Sequence, residues 1–292
     1  MEIQKDFIEN VKVDVYDFDI YSDDKWLDRI KPKLVWSGNP VDIYDIGSDI
    51  FAEKSLLDIK TDNIKKELEN IILNKKSNEL FYDGKNARLE SFEIWEDGKL
   101  FIWLSCFEYS INSSMWANYQ IVSDIIKNES NFCNKISWWI SINILPITSD
   151  GKYIYGKKKK TNDYIWWIVE YPWSFGFAKY SDGTEIDYKD YPIWYTIKKE
   201  LSEETGIPTR FIKDAKVHAL LLWWLGRFVL LSTVKLDINS NQAKEYFDLL
   251  DFKEHDNLIF FDSFDEYADE VSKQSEVKSL WVEVLRNNIF FI

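Results

Sequence analysis

Between Lys199 and Ile207 the chain reads Lys-Glu-Leu-Ser-Glu-Glu-Thr-Gly-Ile, and three of these residues, Glu200, Glu203 and Glu204, carry carboxylates. At helical spacing they fall within an arc of about 100°. Ile193, Trp194, Ile197 and Leu201 occupy the neighbouring arc and are expected to face a core. The carboxylates then project from the edge of the buried stripe, where the floor of a cleft would lie. Left alone, this arrangement costs stability. Glu200 and Glu204 are one turn apart and repel by about 0.2–0.5 kcal/mol in an isolated helix. Glu203 and Glu204 also sit in the last turn, at the negative end of the helix dipole. A divalent cation reverses the sign of each of these terms. The plainer reading is a solvated acidic face.

The supply of other ligands decides which cation. Cys106 and Cys133 are the only cysteines and His218 and His255 the only histidines, with no Cys-x-x-Cys or His-x-x-x-His spacing. That argues against zinc and against a disulfide framework. A metal held by carboxylates alone points to Mg²⁺ or Mn²⁺. The sequence holds no Gly-rich phosphate loop, dinucleotide fingerprint or Ser-His-Asp set.

The elements that must position these groups can be read from the pattern. Asp187–Thr205 is expected as a helix, stopped by Gly206 with Pro208 just beyond. Before it, Lys135–Thr148 alternates as a strand, Asp150-Gly151 turns it, and Tyr153–Lys158 returns as its hairpin partner. Ile165–Glu170 and Trp173–Lys179 are further strand candidates. After it, Val217–Trp224 and Phe228–Lys235 form a hairpin, Asn257–Phe261 a short strand, and Ser275–Leu285 a closing helix. A polar run at Lys127–Lys135 is the best seam. It divides the chain into residues 1–130, a smaller α+β part of unknown role, and residues 135–292. In the first part, Thr61–Lys75 and Ser114–Lys127 read as helices. Glu93–Glu96 and Lys99–Ser105 flank a turn at Asp97-Gly98. The order of strands and helices is α+β on a mixed sheet.

The carboxylate helix resembles the signature of the Nudix hydrolases, Gly-x5-Glu-x7-Arg-Glu-U-x-Glu-Glu-x-Gly-U, with U aliphatic. Glu200, Leu201, Glu203, Glu204, Gly206 and Ile207 match it. Lys199 stands where the family has Arg, Tyr191 where it has the first Glu, and Glu185 where it has the first Gly. Asp190 would replace that Glu if the loop were one residue shorter, and Gly176 or Gly183 would supply the loop glycine. The resemblance covers about residues 135–292 and implies an α/β/α sandwich with a mixed sheet. It implies Glu203 and Glu204 as metal ligands and Glu200 as ligand or general base. Lys199 would hold a carboxylate in place, and Glu254 would be a distal ligand or base. The implied activity is metal-dependent hydrolysis of a nucleoside diphosphate linked to another moiety. The alternative is a Nudix-like module that binds a nucleotide without cleaving it.

Remaining candidates are weaker. Trp166 or Trp173 would stack on a base, a contact worth about 1–3 kcal/mol, although core packing is the commoner fate of a tryptophan. Lys157–Lys160 is a basic run suited to a solvated turn or to phosphate. His218, between Val217 and Ala219, reads as structural. His255, between Glu254 and Asp256, reads as exposed and within reach of a phosphate.

Composition limits the partners. Thirty-six basic against 50 acidic residues give a net charge of −14, which repels duplex nucleic acid and anionic membranes. A nucleotide-type small molecule is the expected partner, and an oligomer is open. Hydrophobic residues at 46% suffice for a core, and 14 Trp, 16 Tyr and 19 Phe favour strands. Met1–Asn10 is polar and charged, unlike a secretory leader. Ala219–Val234 is interrupted by Gly226-Arg227 and is too short to span a bilayer. A cytoplasmic location follows as an expectation.

Overall fold

The computed structural model describes residues 33–43, 48–50, 85–95, 98–108, 139–158, 174–176, 192–224, 227–251, 255–273 and 276–288, with Lys66, Glu69, Asn70 and Leu73. Those four are helical, as expected within 61–75. The expected helix at 114–127, the seam at 127–135 and the strand at 165–170 lie outside the described residues.

The strands are β1 (Lys33–Asp42), β2 (Ser48–Ile50), β3 (Lys85–Ile94), β4 (Leu100–Glu108), β5 (Trp139–Ile147), β6 (Tyr153–Lys158) and β7 (Ser174–Gly176). After them come α1 (Pro192–Thr205), β8 (Ile212–Trp224), β9 (Arg227–Leu236), α2 (Ser240–Asp248), β10 (His255–Phe261), α3 (Phe264–Ser272) and α4 (Glu276–Asn288). The ten strands join in one mixed sheet of order β1-β8-β9-β5-β3-β4-β2, with β6 and β7 also paired to β5 and β10 paired to β6. β5 runs parallel to β9 and β2 parallel to β4; the other pairings are antiparallel. The fold is α+β on a mixed sheet. Among the described residues, no helix is long and apolar enough to cross a membrane.

Strand pairing runs across the expected seam. β1 is hydrogen-bonded to β8, and β3 meets β5 at Arg88↔Trp139. The expected β5–β6 hairpin exists only at its turn, where Ile147 pairs with Tyr153 and Gly151 takes φ +80°. Beyond that point β6 leaves β5 and pairs with β10, from Phe261↔Tyr153 to His255↔Lys158.

The centre of the sheet is buried on both faces, which explains its near-continuous apolar runs. On one face Ala219, Leu221, Val229 and Leu231 pack with Trp281 and Val284 of α4. Leu145 and Tyr155 extend that layer to Tyr267, Ala268 and Val271 of α3. The alternating residues Ile140, Ile142, Ile144, Phe228, Leu230 and Leu220 are also fully buried, so the opposite face is covered as well.

Candidate functional site

Pro192 is the first helical residue of α1, a position where its missing N–H costs nothing. The helix stops hard at its other end. The Thr205 hydroxyl donates to the Leu201 carbonyl, and the same oxygen accepts the Ile207 N–H at 3.2 Å. Gly206 follows at φ +72°, a backbone conformation that favours glycine. A Cβ there would also lie 2.6 Å from the Tyr246 carbonyl oxygen, so α2 closes on the end of α1. The carboxylates are therefore carried to the last turn by a terminus that only glycine can form.

The three carboxylates do not share one environment. Ile197 and Leu201 are fully buried, and Glu200 and Glu204 turn inward beside them at 7% and 8% exposure. Glu203 falls on the outer edge of the arc, where its half-exposed side chain pairs with Lys199 at 3.5 Å. Lys199 thus holds Glu203, one turn along. Lys199 and Glu200 are adjacent in the helix, and adjacent helical residues do not face each other. Lys198 lies 4.5 Å from the Trp194 ring centroid, a further cation at the rim of the helix.

Opposite Glu204 stands His255, which begins β10. Its Nε2 is 3.1 Å from Glu204 Oε2, and the ring is fully buried. An imidazole N–H donates to a carboxylate oxygen, which places a proton on Nε2. The expectation that His255 is exposed is corrected here, and the cause is a β-bulge. Between His255 and Asn257 the register with β6 slips by one residue. Asp256 and Asn257 are both exposed, whereas His255 and Leu258 are both buried. Residues three apart in a regular strand lie on opposite faces; the extra residue of the bulge restores them to one. Gly156, paired with Leu258, lies under the ring, and a Cβ there would sit 2.7 Å from His255 Nδ1. The other face of this strand pair carries Tyr155 and Ile259 against α3. Here α1 and α3 stand on opposite sides of the sheet.

His218 takes the structural role expected of it. It is fully buried, with Nε2 2.9 Å from the Thr233 hydroxyl. Burial, and then the charge of Lys216, push its pKa down to about 4, so it is neutral near pH 7. Glu254, Trp166, Trp173, Tyr191 and Asp190 lie outside the described residues, as does Glu185.

Among the described residues, no group of three or more His, Cys, Asp or Glu side chains gathers around one position. Mg²⁺ does not require such a group, because it is commonly held by one or two carboxylates with substrate phosphates and water. The hard oxygen donors of Glu200 and Glu204, one turn apart on the inner face of α1, fit that chemistry. No protein-family model matches the chain, and no curated protein is similar to it at a significant level.

Proposed function

We propose that residues 135–292 form a Nudix-like hydrolase domain that cleaves, with Mg²⁺ or Mn²⁺, a nucleoside diphosphate linked to another moiety. The observation that carries this reading is the burial of Glu200 and Glu204 at 7% and 8% exposure, where a solvated acidic face would leave them in water. Helices on both sides of the sheet at β6 and β10 support an α/β/α sandwich of the Nudix kind. When bound, the ion neutralises charge on the phosphoryl oxygens and acidifies its water. Glu200 and Glu204 would hold it. Glu200 would also accept a proton from the attacking water, in the role of general base. Glu203, kept at the rim by Lys199, adds negative charge where a second ion or a hydrated ion would approach. Glu254 and the tryptophans Trp166 and Trp173 complete the proposal as distal ligand and base-stacking groups.

A second reading rests on a specific departure. Tyr191 and Glu185 stand where the signature has Glu and Gly, and Glu203 is turned outward onto Lys199. A nucleotide-binding module without turnover would tolerate all three. The two readings part on the charge that develops in the transition state, which only an enzyme must stabilise. In a screen of nucleotides with Mg²⁺ or Mn²⁺, Glu200→Gln and Glu204→Gln should each lower turnover by about 10²-fold or more. Substrate affinity should change far less. Binding with no turnover under any metal, and turnover gained only with Lys199→Arg and Tyr191→Glu together, would establish the binding module instead.

A further inference from the structure

A carboxylate serves as a ligand only if it is held at the angle the ion accepts, and partners behind the ligand usually do this. Glu204 has such a partner, drawn from two strands distant in sequence. We infer that His255, seated on Gly156, is a positioning residue that orients Glu204 as a metal ligand, an inference that rests on the site reading given above.

Three independent features converge on it. The bulge between His255 and Asn257 turns His255 into the protein and leaves its two followers in solvent. A regular strand would place His255 and Leu258 on opposite faces, so the bulge is what brings an imidazole to this face. Gly156 leaves the space the ring occupies, since a Cβ would meet Nδ1 at 2.7 Å and Cε1 at 2.9 Å. The ring then reaches across to α1 and meets Glu204 Oε2 at 3.1 Å. Burying a polar imidazole is costly unless its N–H is used. Here the N–H is used on one of the two carboxylates that turn inward, whereas Glu203 is held by a flexible lysine at the surface. The orientation of Glu204 is therefore set by a rigid ring in a strand, and that of Glu203 by a mobile side chain.

The test compares side chains by reach. The amide nitrogen of glutamine can occupy the place of Nε2, whereas that of asparagine falls near Nδ1 and stops short of Glu204. Mn²⁺ binding to the full chain would be followed by the electron-resonance signal of free Mn²⁺, well below each melting temperature. His255→Gln should bind Mn²⁺ nearly as the natural protein does. His255→Asn should bind about 10- to 100-fold more weakly. Gly156→Ala removes no polar group but displaces the ring, and should weaken binding in the same direction. A merely structural histidine would lower the melting temperature in these variants and leave Mn²⁺ affinity unchanged. If the natural protein binds Mn²⁺ and His255→Asn and Gly156→Ala bind it equally well, the positioning role is wrong and the site reading stands. If the natural protein binds no Mn²⁺ at millimolar concentration, both are wrong.

Discussion

Each of the two histidines is fully buried against an oxygen, and the oxygen decides what the residue can do. His255 faces a carboxylate; His218 faces the Thr233 hydroxyl and lies near Lys216, whose ammonium pairs with Asp42. Burial and the lysine hold His218 neutral, with its pKa lowered from 6.5 to about 4. In the unfolded chain the same imidazole takes up a proton below about pH 6.5. The unfolded state therefore binds more protons between pH 6.5 and 4, and the folded state loses stability as pH falls through that window. Below about pH 4 both states are protonated and the loss ends. A depression of this size corresponds to on the order of 3 kcal/mol. Urea midpoints measured at pH 7 and pH 4.5 should fall further for the natural protein than for His218→Gln, since the carboxylates common to both cancel. Equal falls would mean that His218 is protonated in the fold.

At the scale of elements, the joint between the β5–β6 turn and α2 shows how a short helix is held. Asn239 and Gln242 form a reciprocal capping box at the start of α2. Asp150, from the turn, accepts the Ser240 N–H at 2.9 Å and the Ser240 hydroxyl at 2.7 Å. Slight desolvation raises its pKa, but hydrogen bonds from Thr148 and Ser240 outweigh this and leave it below the usual carboxylate value of 3.8. A carboxyl with a depressed pKa stabilises the fold above its unfolded value, and this is lost as pH falls through the folded one. Asp150→Ala should cost about 0.5–2 kcal/mol, as for loss of other capping groups. That cost should shrink as pH falls through the lowered folded value, where the natural carboxyl is protonated as well. Denaturant melts of both proteins across a series of acid pH values would check it, and a cost that shows no decline as pH falls would rule out the charged cap. At the start of α3 the Ser263 side chain likewise accepts the Glu266 N–H. The capping residues of both helices are present in the sequence, yet neither α2 nor α3 is expected from periodicity, because nine residues give too short an apolar stripe. β1 is hidden for a different reason. Its Gly38 and Pro40 read as loop punctuation, but Pro is tolerated on an edge strand, and among the described residues β1 pairs only with β8, through two bulges. β6, β8 and β9 are legible because apolar residues mark strands buried on two faces. In the site, the helical spacing of Glu200 and Glu204 is local and readable. His255 comes from 51 residues away, and a bulge that no alternation announces delivers it.

For the molecule as a whole, the consequence lies in where the sheet ends. The domain proposed above spans residues 135–292, which marks that stretch as a unit to test alone. Yet β8 is an interior strand only because β1 covers it, from Lys33↔Leu222 to Asp42↔Lys216, and α4 lies against both β8 and β1. A chain that starts at Asn134 leaves β8 with an open row of backbone N–H and C=O groups beside Ala219–Leu222, all of which are buried in the full chain. Such an edge, long and apolar, pairs with another copy unless it is covered. The fragment is therefore expected in aggregates or oligomers on size-exclusion chromatography, under conditions where the full chain elutes as a discrete species. A peptide spanning 33–43, added during refolding, should restore part of the discrete species by taking the place of β1 as an added strand. The same peptide with Val41→Asp should not, because Val41 is buried in the paired strand. A fragment that runs as a sharp monomer without any peptide would show that β1 is dispensable, and that the first 130 residues are a separate attachment to residues 135–292.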